Sequence, residues 1–82
     1  MVEVFITNVK EPKQAEETLK VLEHTLPKFK INFDLEDFEK PYPCGHSILR
    51  IEGSSINNKK IIQIIQNEGF KCEILEDKLY NC

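Results

Sequence analysis

The sequence predicts a single α+β domain built in the order strand, helix, strand, strand, helix, strand. Three observations lead there: four short segments alternate with a period of two, two segments place apolar residues at helical spacing, and Pro or Gly punctuates the joins. The chain has 82 residues, and a chain of that size supports one hydrophobic core rather than two. It is therefore read as one domain over 1–82.

In the first strand Val2, Val4 and Ile6 alternate with Glu3, Phe5 and Thr7, the pattern of a half-buried strand. Pro12 suits a first helical position, where its missing N–H costs nothing. Ala15, Leu19, Leu22 and Leu26 then recur at spacings of four, three and four, with Thr18 at the border of this helical stripe. Leu26-Pro27 ends the helix, because proline disfavours helical geometry in the residue before it.

Ile31, Phe33 and Leu35 alternate with Asn32, Asp34 and Glu36 in a second strand. Residues 37–46 read as a polar loop carrying Pro41 and Pro43. Leu49 and Ile51 then alternate with Ile48, Arg50 and Glu52 in a third strand, stopped by Gly53. Ser54 or Ser55 is expected to cap a second helix, where Ile61, Ile62, Ile64 and Ile65 cover a broad arc. Gly69 stands where a left-handed helix stop is expected. Cys72 and Ile74 alternate with Lys71, Glu73 and Leu75 in the last strand. Right-handed crossovers put both helices on one face of the sheet. The expected architecture is a ferredoxin-like βαββαβ sandwich, a four-stranded antiparallel sheet in the order 4-1-3-2.

Composition excludes more than it identifies. The net charge is −3, with acidic residues gathered at Asp34, Glu36, Asp37 and Glu39. A nucleic-acid binder presents a basic stripe, since neutralised phosphates supply most of its affinity, and none is visible. No apolar run approaches the roughly 20 residues that span a bilayer. The N-terminus lacks the basic and apolar regions of a signal peptide. The expectation is a cytoplasmic chain with no membrane or nucleic-acid partner. Three cysteines, Cys44, Cys72 and Cys82, at no regular spacing suit free thiols better than a disulfide. No titratable cluster suggests an acid–base pair or an activated nucleophile, so the chain is not read as an enzyme.

The helix ending Leu26-Pro27, the strand Ile31-Asn32-Phe33-Asp34-Leu35 and the segment Asn67-Glu68-Gly69-Phe70-Lys71-Cys72 together resemble a heavy-metal-associated domain, over nearly the whole chain. That family includes copper chaperones and the N-terminal domains of metal-transporting ATPases. The resemblance implies a Cys-x-x-Cys pair in the first strand–helix loop, where two thiolates hold a soft ion such as Cu(I) for transfer. Here Pro12 and Ala15 stand at those positions, and residues 7–15 contain no Cys, His or Met. The usual site of the family is lost.

Two surfaces remain as candidates. Cys44 and His46 lie in the second–third strand loop, at the same end of the sheet as the first strand–helix loop, and form the candidate metal pair, for Cu(I) or Zn(II). Cys72 is expected inward as an inert packed thiol, Cys82 near the other end, and His24 solvated opposite the helical stripe. The second candidate is the sheet face without helices. Phe5, Ile48 and Leu75 are expected there as an apolar cluster for a protein partner or a homodimer. With Phe5 as the one clear aromatic among acidic neighbours, that face does not suit RNA. A metabolite-sensing role is unsupported, since the first loop has no glycine to let a ligand approach the backbone. The leading expectation is a non-enzymatic interaction module without cofactor. The alternative is a metallochaperone or sensor using Cys44 and His46.

Overall fold

A computed structural model describes residues 1–35, 42 and 45–75. Strand β1 (Val2–Thr7), helix α1 (Pro12–Thr25), strands β2 (Lys30–Asp34) and β3 (Ser47–Glu52), helix α2 (Asn58–Asn67) and strand β4 (Cys72–Ile74) follow in the expected sequence. The four strands form one antiparallel sheet in the order β2-β3-β1-β4, the expected 4-1-3-2 order read from the other edge. The fold is the ferredoxin-like α+β kind.

Each helix begins and ends for a local reason. Pro12 opens α1 with no side-chain cap before it, and the first bond runs from the Ala15 N–H to the Glu11 carbonyl at 3.0 Å. At the far end Leu26 leaves helical geometry (φ −126°, ψ 64°) just before Pro27. In α2 the cap is Asn57, whose side chain accepts from the Lys60 N–H at 3.2 Å. The serines at 54 and 55 therefore do not cap it; they lie in the approach to the helix. Asn serves as well as Ser at a cap, and spacing alone could not choose among 54, 55 and 57. Gly69 ends α2 as expected, at φ 92°. The Gly69 N–H reaches the Gln66 carbonyl and the Phe70 N–H the Ile65 carbonyl, the paired bonds of a Schellman stop.

The core lies between the helices and one face of the sheet. Phe5, Leu49 and Ile51 from the strands pack with Leu22 of α1 and Ile61 and Ile65 of α2, and Cys72 closes the cluster. On α1 the buried positions are Ala15, Thr18 and Leu22, while Leu19 and Leu26 are half-buried. The stripe is thus centred one position away from Leu19, with Thr18 inside it rather than at its border. Gly53 lets the aromatic ring of Phe29 lie against the backbone: a Cβ there would come within 2.5 Å of the ring, so only glycine fits without movement.

The sheet register corrects one expectation. Phe5 pairs with Leu49 on one side and Ile74 on the other, and Leu49 pairs with Phe33. Directly paired residues share a face, so Phe5 belongs to the helix-covered row and is fully buried. It is not on the open face. The physical reason is that β1 carries apolar residues in both alternation classes: Val2, Val4 and Ile6 in one, Phe5 in the other. Its period of two is compatible with either orientation, and the pairing decides.

Candidate interaction surface and the loop end of the sheet

Of the three loops expected at one end of the sheet, the first and third meet there, and most of the second lies outside the described residues. Asn8, just after β1, is joined to the turn between α2 and β4. Its side chain accepts from the Lys71 N–H at 2.7 Å, and its own N–H reaches the Lys71 carbonyl at 3.3 Å. Ser47, where the second loop enters β3, pairs with Thr7. The two buried hydroxyls are hydrogen-bonded to each other, Ser47 also donates to the Thr7 carbonyl, and Thr7 Oγ1 accepts from the Val9 N–H. These polar groups are satisfied among themselves, which is the condition for burying them. They fasten the end of β1 to the start of β3.

Metal-ligand chemistry at this end is limited by what occupies it. Pro12 is exposed at the first turn of α1 and Ala15 is buried against the core; neither carries a donor. Cys72 is buried, and burial first, then the neighbouring Glu73 carboxylate, pushes its thiol up to about 12. It is the packed thiol expected, with almost no thiolate at neutral pH. Ser47 and Cys72 flank Thr7 from opposite sides. Two strand spacings, roughly 10 Å, therefore separate β3 from β4 at this level. His46 is half-buried, while Cys44 and Cys82 lie outside the described residues. Among the described residues no three His, Cys, Asp or Glu side chains are grouped to hold a metal ion. His24 is exposed on α1.

The helix-free face is built by the other alternation class. Following the register across the sheet, Lys30, Glu52 and Val2 form one row, and Asn32, Arg50 and Val4 the next. Leu75 continues that second row, its N–H bonded to the Val4 carbonyl at 2.9 Å. Asp34, Ile48, Ile6 and Glu73 form the third. Of the residues expected on this face, Ile48 and Leu75 belong to it. Val2 and Val4 take the place assigned to Phe5. Val2 is 51% exposed and Leu75 40%, whereas Ile6 is fully buried on this side. At the loop end the face is thus already covered within the chain, and its free apolar part runs along β1 from Val4 to Val2, with Leu75 beside it. Charged side chains of both signs border it on β3, Glu52 beside Val2 and Arg50 beside Val4.

At the opposite end a cleft of about 250 Å³ lies between the end of α1 and the start of α2, lined by Leu26, Phe29, Ile61, Ser55, Asn57 and Lys60. It falls below the roughly 300–1,000 Å³ of ligand pockets. No described helix is long and apolar enough to cross a membrane.

Fold and surface together define a ferredoxin-like domain with an apolar strip on its open face. No family model, no curated protein and no solved structure matches the chain.

Proposed function

We propose that this chain is a small non-enzymatic interaction module, a domain resembling heavy-metal-associated domains in which Pro12 and Ala15 replace the usual ligands. One observation carries the reading: Val2, Val4 and Leu75 form an apolar strip on the helix-free face, bordered by charges of both signs. Burying such a strip favours a protein partner, and the mixed rim selects among partners by charge. The partner that fits is a protein presenting its own apolar strip with charges of both signs beside it.

The test uses reduced, isotope-labelled protein. A captured partner should shift the NMR signals of Val2, Val4 and Leu75, and Val2→Glu with Leu75→Glu should abolish binding while the circular dichroism spectrum stays unchanged. Shifts confined to the helices would overturn the reading. So would tight, stoichiometric Cu(I) or Zn(II) binding that is lost on Cys44→Ser with His46→Ala; that result selects the metal-handling alternative.

A further inference from the structure

We infer that the β2 edge of the sheet is a self-association site, through which a second copy of this chain pairs antiparallel about a two-fold axis at Asn32. Among the described residues strand β2 is an edge of the sheet and pairs on one side only, with β3. Along its other side no described strand pairs with its backbone N–H and C=O groups, which makes an edge a template for another strand.

The sequence of this edge is symmetric in the way such pairing requires. An antiparallel pair centred on Asn32 sets Lys30 opposite Asp34 of the second copy and Asp34 opposite its Lys30. Ile31 falls opposite Phe33, and Phe33 opposite Ile31. Two opposite-charge pairs lie on the helix-free face and two apolar pairs on the helix-covered face. Ile31 and Phe33 are only half-buried and already pack against the core, so the second copy would complete their cover. Phe29 and Leu35, both half-buried, extend the same symmetry by one residue at each end. Neither Lys30 nor Asp34 has an ion-pair partner among the described residues, and both are exposed. Glu52 stands across from Lys30 on the β3 side, and on the free side a second copy would set an opposite charge against both Lys30 and Asp34.

The other edge lacks this symmetry. Strand β4 has three residues, Cys72–Ile74, and pairing it with itself about its centre sets Glu73 against Glu73, a destabilising like-charge contact. The β2 site is distinct from the apolar strip of the open face, so the two proposals fail separately.

The experiment is sedimentation over a concentration series at low salt. The wild-type chain should dimerise with rising concentration. Lys30→Glu alone and Asp34→Lys alone should each weaken dimerisation roughly tenfold or more, since each turns two attractive pairs into two repulsive ones. Mixed in equal amounts, the two variants should dimerise again. The glutamate introduced at position 30 of one then faces the lysine introduced at position 34 of the other, and the unchanged Asp34 faces the unchanged Lys30. Both substitutions are at exposed positions, and restoration by mixing also demonstrates that each variant is folded. A wild-type chain that stays monomeric to millimolar concentration overturns the proposal. So does a dimer indifferent to both charge changes, or one lost on Val2→Glu with Leu75→Glu instead.

Discussion

Cys72 illustrates how position decides chemistry at the scale of a residue. It lies beside Thr7 on the helix-covered side of β4, 5% exposed, and its thiol is pushed from 9.0 to about 12. The folded state holds its proton more tightly than the unfolded chain does. Its contribution to stability is therefore complete below pH 9 and is lost as the pH rises from there toward about 12. In that window stability should fall by up to about 1.4 kcal/mol per pH unit. Urea titrations of wild type and Cys72→Ala between pH 8 and 11 check this: the variant should lack that part of the slope. Equal slopes would show that Cys72 does not titrate as its burial requires.

At the scale of an element, α2 is bounded by two backbone devices of unlike legibility. Its stop, Gly69 at positive φ, is a feature that only glycine adopts without strain, so the residue type alone announces it. Its start offers three polar residues, Ser54, Ser55 and Asn57, of which Asn57 makes the bond. Asn57→Ala should cost about 1 kcal/mol, within the range of roughly 0.5–2 for losing a cap. Ser54→Ala and Ser55→Ala, at exposed positions, should stay within about 0.5 kcal/mol. Chemical denaturation of the three variants decides it; a larger loss at either serine would move the start of the helix.

At the scale of the whole molecule, the register of the sheet chooses which residues make core and which make surface. Phe5→Ala empties a fully buried site and should cost about 3–5 kcal/mol, a large share of the roughly 4–12 kcal/mol expected of a domain this size. Val2→Ala, on the open face, should cost less than about 0.5 kcal/mol. Thermal or urea unfolding separates the two, and a reversed order would place β1 the other way round. The same register aligns Val2 and Val4 with Leu75 and puts Lys30 and Asp34 on one face of the free edge. Both proposed surfaces therefore depend on one set of pairings.

The order of elements was legible in the residues because it rests on local signals: alternation in 31–35, the helical stripe through Ala15 and Leu22, Pro27 and Gly69 as stops. That Pro12 and Ala15 carry no metal-binding donor was legible too, since a side chain without a donor atom cannot acquire one on folding. Leu49, Ile51, Cys72 and the exposed His24 also fall where their spacing placed them. What the sequence alone left open was the orientation of β1. With apolar residues at 2, 4, 5 and 6, its pattern permits either face, and only pairing with β3 and β4 turns Phe5 inward and leaves Val2 and Val4 outside. The symmetry of Lys30-Ile31-Asn32-Phe33-Asp34 was present in the chain from the start. It gains meaning only when tertiary structure makes that strand an edge, because a strand paired on both sides has no hydrogen bonds left to offer a second copy.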